Sequence, residues 1–114
     1  MTRTIYHLTP THYFESLNPA EAYLPADFDA DGFIHCSADE DQMLEVANRF
    51  YKSEPGDFVL LVIDEDAVEA EVRHEDAAPE PDGNLYPHIY GPLNRDAIVE
   101  ARPMQRKPDG TFHW

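Results

Sequence analysis

The chain has 114 residues, 42% of them hydrophobic, and a formal net charge of −15. That length suits a single domain over residues 1–114 with one core, and the hydrophobic share argues against a disordered chain. So acidic a surface repels phosphate backbones and anionic headgroups, so neither nucleic acid nor a membrane is an expected partner.

The N-terminal "MTRTIYHLTP" lacks the apolar core of a signal peptide. No apolar run approaches the roughly 20 residues that span a bilayer. A soluble, cytoplasmic protein is expected, acting as a monomer or weak homodimer on a small-molecule ligand. The single cysteine, Cys36, excludes an intramolecular disulfide.

In chain order, "TIYHL" (Thr4–Leu8) reads as a strand closed by Thr9-Pro10. "THYFESL" (Thr11–Leu17) reads as a short helix capped by Thr11 and ended by Asn18-Pro19. Pro19–Gly32 is acidic and irregular, with room for one helical turn. Asp31-Gly32 then turns the chain into a strand, Phe33–Cys36. The best helix runs from Ala38 to Tyr51. Its apolar stripe is Met43, Val46, Ala47 and Phe50, and Ser37 with Glu40 fits a capping box.

"FVLLVID" (Phe58–Asp64) is continuously apolar, as a central strand buried on both faces should be. Val68–Glu75 alternates, with Val68, Ala70, Val72 and His74 on one face and Glu69, Glu71, Arg73 and Glu75 on the other. Asp76–Asn84 is a loop, Tyr86–Tyr90 a short strand and Ala97–Gln105 another. Lys107–Gly110 turns the chain so that "TFHW" pairs back. Six or seven strands with one long and one or two short helices predict an α+β fold with a mainly antiparallel, split sheet.

The histidines carry most of the functional signal. His7 follows Ile5 on one strand face, His35 follows Phe33 on a second strand, and His88 sits between Tyr86 and Tyr90 on a third. An imidazole among apolar strand residues needs a partner, which a structural hydrogen bond or a shared cleft can supply. The aromatic, proline-bounded "YPHIYGPL", with Tyr90, reads either as sheet packing or as a wall for a flat ligand.

Ser37 stands where a strand meets a helix N-terminus. That position offers backbone N–H groups to a ligand, although three acidic residues in the first turn discourage a phosphate. Cys36 is adjacent to His35, so a strand points the two side chains apart and leaves the thiol to packing. Glu75 ends its strand either as a solvated carboxylate or as a group that stabilises a developing cation. Three histidines with Glu75 could hold zinc, but no close ligand pair marks a metal site, and none is assigned.

"IYHL", "DGFIHCS", Gln42, "VLLVID", "RHE" and "PHIYGPLNRDAIV" occur in this order. In this the chain resembles a small bacterial family known as domain of unknown function 952, over about Thr4 to Arg102. The resemblance implies a fold like that of the ADP-ribosyltransferase superfamily, which includes RNA 2′-phosphotransferases. By position it implies that His7 orients a ribose, that His35 contacts the base and that Glu75 supports a ribosyl cation. His88 lines the cleft without an assigned role. The acidity makes the RNA branch the less attractive one.

Two further readings stand beside it: a non-catalytic binding module and a metal-dependent hydrolase. On the first reading Glu75 and His35 are catalytic, and His7, His35, Ser37, His88 and Tyr90 bind the ligand. The only candidate cofactor is NAD or an ADP-ribose-like nucleotide.

Overall fold

A computed structural model describes residues 3–76 and 83–113. Strand β1 (Thr4–Pro10) pairs with β3 (Phe58–Asp64), which pairs with β6 (Ile98–Pro103). A second sheet places β5 (Leu85–Ile89) between β2 (Ile34–His35) and β4 (Val72–Asp76). A hairpin of β7 (Gln105–Arg106) and β8 (Phe112–His113) completes the strands. Every pairing among the described residues is antiparallel. The fold is therefore α+β, but with sheets of three, three and two strands rather than one of six or seven.

The central strand β3 explains the layering. Val59, Leu61 and Ile63 pack with Ile5 against Ile34, Cys36 and Ile89 of the second sheet. Phe58 and Leu60, one step out of phase, pack with Met43 and Ala47 of the long helix and with Phe112. The run is continuously apolar because both faces are covered. A fully buried leucine such as Leu61 contributes roughly 1.5–3 kcal/mol over an exposed one.

The two sheets meet at one corner. Tyr6 and Ser37 form an isolated antiparallel bridge, with Tyr6 N–H donating to the Ser37 carbonyl at 2.9 Å and Ser37 N–H to the Tyr6 carbonyl at 2.7 Å. No further backbone pairing joins β1 to β2 among the described residues. The split begins there, and His7 and His35 lie beside it.

Three α-helices occur among the described residues: α1 (Thr11–Ser16), α2 (Phe28–Asp31) and α3 (Glu40–Phe50). Gly32 ends α2 at φ 82°, where its N–H reaches the Phe28 carbonyl, and a side chain there would be strained. No described helix is long and apolar enough to cross a membrane.

Several expectations change. Ser37 does not cap α3; Asp39 does, accepting from Gln42 N–H at 2.8 Å, while the Gln42 amide oxygen accepts from Ala38 N–H. Ser37 is held instead in the bridge to β1. Thr11 is the first residue of α1 and makes no side-chain cap. Phe50 leaves the apolar stripe and is 59% exposed, so α3 buries only Met43 and Ala47.

The expected strand Val68–Glu75 is regular only from Val72. A 3-10 turn, Glu65–Ala67, precedes it, with the Asp64 side chain accepting from Asp66 N–H. Asn94 then takes the backbone groups a ladder would have used, accepting from Glu69 N–H and donating to the Ala67 carbonyl. His74 bonds Glu65 at 2.8 Å. Most of the expected loop Asp76–Asn84, residues 77–82, lies outside the described residues, as does Trp114.

Candidate functional site

His7 lies on β1 just beyond the bridge, at the mouth of the split. Its Nδ1 is 2.6 Å from the His35 carbonyl oxygen, and its Nε2 is 2.9 Å from the Tyr23 hydroxyl. A carbonyl only accepts, so Nδ1 carries the proton, and Nε2 accepts from Tyr23. Both ring nitrogens are thereby used within the fold. Burial lowers the His7 pKa from 6.5 to about 4, against a weaker opposing effect of the bond to the His35 carbonyl. His7 is thus a neutral clasp that bridges diverging strands with a side chain.

His88 is different. It lies in the middle strand of the second sheet, opposite both His35 and Arg73. Its side chain is only 2% exposed. One ring face stacks on Phe33, with centroids 4.1 Å apart and planes at 24°. Nδ1 is 3.1 Å from Glu75 Oε1. Nε2 has no hydrogen-bonding partner among the described residues, yet it is not a fully buried orphan and His88 lines the cleft, so Nε2 is the ring atom left to meet a ligand there.

Glu75 holds this arrangement from behind. Its Oε1 accepts from the Tyr90 hydroxyl as well as from His88. The Tyr90 hydroxyl, then His88, hold the carboxyl below its ordinary pKa, so Glu75 is ionised at neutral pH. An ionised carboxylate only accepts, which puts the His88 proton on Nδ1 and a lone pair on Nε2. Burial lowers the His88 pKa, and Glu75 partly opposes it. Arg73 lies over the Tyr90 ring at 4.5 Å and pairs with Glu71 at 2.8 Å.

A cleft of about 710 Å³ runs from this face of the second sheet to α3. Its volume suits a small ligand. His7, His35, Ser37 and His88 all line it, whereas Glu75 and Tyr90 do not. The latter two reach it only through His88. His35 stands at the rim, with Nε2 3.1 Å from Asp31 and its ring edge-on to His88 at 5.5 Å. Cys36 is buried, and burial pushes its thiol well above the ordinary range, so it is a poor nucleophile.

The family pattern described as "Protein of unknown function (DUF952)" matches residues 8–101. The chain belongs to that family. Two crystal structures of protein CC0527 from Caulobacter crescentus, one of them a double mutant, have the same fold, each with a TM-score of 0.80 and 23% sequence identity. The match covers 96% of this chain and 93% of the other. No curated protein matches the chain. In this DUF952 chain the chemistry must therefore be argued from the side chains.

Several residues of the site escaped the sequence reading. Tyr23 is fully buried and holds His7, yet it sits in an irregular segment without periodicity. Phe33, expected in a strand, lies just before β2 and stacks on His88, and Arg73 lies over the Tyr90 ring; neither contact follows from strand alternation. Among the described residues, no three of His, Cys, Asp and Glu gather closely enough to hold a metal ion, so the metal-hydrolase reading lacks a ligand set there.

Proposed function

We propose that this protein is a small-molecule enzyme of ADP-ribosyltransferase-like fold. Its cleft takes a nucleotide-type ligand such as NAD or ADP-ribose, and His88 is its acid–base group. One observation carries the reading: Glu75 fixes Nδ1 of a buried imidazole that lines a ligand-sized cleft and whose Nε2 has no partner among the described residues. A carboxylate behind an imidazole sets the tautomer and steadies the imidazolium that forms when the ring takes a proton. Two small antiparallel sheets that part beside a cleft support the fold reading.

In this mechanism a ligand or acceptor hydroxyl gives its proton to His88 Nε2, and its oxygen attacks the ribosyl carbon. The bond from that carbon to the leaving ring breaks, and the ring departs with the bonding electron pair. Glu75 stays ionised throughout. It therefore acts through His88, and not directly on a ribosyl cation. His7 takes no part in proton transfer because both its nitrogens are occupied. His35 and the Ser37 hydroxyl line the ligand's path.

Calorimetric titration with NAD and ADP-ribose, with a chromatographic assay for the released ring, tests the proposal. The native protein is expected to bind and turn over NAD, and His88→Gln to lose roughly 10²- to 10⁴-fold in rate. Absence of binding to both nucleotides removes the ligand assignment. Binding without turnover, at equal affinity in Glu75→Gln, returns the site to the non-catalytic reading.

A further inference from the structure

The cleft carries an uneven charge. Asp27, Asp31 and Glu54 line it, against Arg49 as the one lysine or arginine of its lining among the described residues. Aromatic rings lie among these carboxylates: Tyr13 from α1, and Phe50 and Tyr51 from the end of α3. The Phe50 ring already carries a cation of this chain, the Arg49 guanidinium, 5.2 Å from its centroid. The carboxylates act together on the Tyr51 hydroxyl. Burial raises its pKa most, and Glu54, Asp27 and Asp31 each raise it further. Asp27 likewise raises that of Tyr13, after burial.

Carboxylates and aromatic faces favour the same ligand charge. A ring face attracts a cation through its quadrupole, and a carboxylate does so directly. An anion meets repulsion from both. The cleft also has a place for a polar group beside His88, whose side chain is 98% buried and whose Nε2 has no partner among the described residues. A ligand that fits both places is a ring or ammonium bearing positive charge, attached to a hydroxyl-bearing part that reaches His88.

We infer that the cleft selects a positively charged ring or ammonium group, held by Tyr13 and Tyr51 and neutralised by Asp27, Asp31 and Glu54. The inference rests on the reading of the cleft as a small-ligand site and deepens it by naming the charge class. For a dinucleotide, the cationic ring end enters and the pyrophosphate stays outside. NAD then binds more tightly than ADP-ribose, which has the phosphates without the cation.

The test uses two probes of nearly equal size and opposite charge, 1-methylnicotinamide and nicotinate, titrated calorimetrically into the native protein. The cation is expected to bind at least tenfold more tightly, and its affinity to fall between low and high salt as surface charges are screened. The double variant Asp27→Asn, Glu54→Gln is expected to lose roughly tenfold in cation affinity and none for nicotinate. The salt series on the native protein gives the same reading should that variant fold poorly. Equal affinity for both probes, or affinity indifferent to salt, overturns the charge selection. Binding of ADP-ribose without the cation overturns it while leaving the nucleotide site standing. Silence from all the probes overturns both.

Discussion

His7 and His88 are both buried imidazoles on strands, both border the same cleft, and both have lowered pKa values. They differ in one atom. His7 spends both nitrogens inside the fold, on the His35 carbonyl and the Tyr23 hydroxyl. His88 spends one on Glu75 and leaves the other to the cleft. A buried polar group with every bond satisfied stabilises a fold, whereas one with an open valence facing a cavity can bind and move protons. Burial alone does not separate the two cases; counting partners does.

The largest expected effect lies on the structural side. His7→Ala removes one partner from the Tyr23 hydroxyl and from the His35 carbonyl and opens a void, at a cost of about 2–4 kcal/mol. Chemical denaturation measures it. His88→Gln should cost less than half as much while having the larger effect on ligand binding and turnover. If the two variants were equally unstable, His88 would be as structural as His7.

Acid sensitivity separates them next. Burial places the folded-state pKa of His7 near 4, below the unfolded value of 6.5, so the unfolded chain binds the extra proton first. The contribution of His7 is full above about pH 6.5 and is lost as pH falls toward 4. It amounts to on the order of 3 kcal/mol across that window. His7→Gln, which keeps hydrogen-bonding capacity without the titration, should flatten the dependence of stability on pH between 4 and 6.5. An unchanged slope would place the acid sensitivity in other groups.

How much of this contrast was legible beforehand depends on where each partner lies in the chain. The two faces of Phe58–Asp64 follow from a run too apolar to face water on either side, and the C-terminal hairpin pairs Gln105 with His113 and Arg106 with Phe112 as its turn suggested. The strand faces of His7, His35 and His88 follow from period-two alternation. Their roles do not, because a role depends on the second ring nitrogen. For His7 that nitrogen is claimed by Tyr23, which lies in a segment without periodicity. For His88 the first partner is Glu75, on the neighbouring strand, across residues 77–82. The capping box at Ser37 misled for a related reason: Asp39 and Gln42 offered a second box two residues on, and the bridge to Tyr6 had already claimed the Ser37 backbone.

A smaller effect tests the Glu75–His88 pair itself. The carboxylate raises the His88 pKa against the lowering caused by burial. Glu75→Gln removes the charge while preserving the shape, so the His88 imidazole should titrate at lower pH, as read from its ring proton shifts by NMR. The titration of His7 should not move, since Glu75 is absent from its surroundings. A parallel shift of both rings would mean that the substitution disturbs the fold rather than the pair.

The smallest effect belongs to Tyr90. Its hydroxyl donates to the same Glu75 oxygen that accepts from His88, so the two donors share one acceptor. Tyr90→Phe removes one donor and keeps the ring on which Arg73 rests. Stability should fall by no more than about 1 kcal/mol, as for one partly exposed hydrogen bond. Glu75 loses the strongest of the influences that depress its pKa, so that pKa should rise toward the ordinary carboxylate value. His88, still facing an ionised carboxylate at neutral pH, should keep its tautomer and most of its activity. A loss as large as that of His88→Gln would show that Tyr90 touches the ligand itself, and that the cleft extends past His88 to the strand behind it.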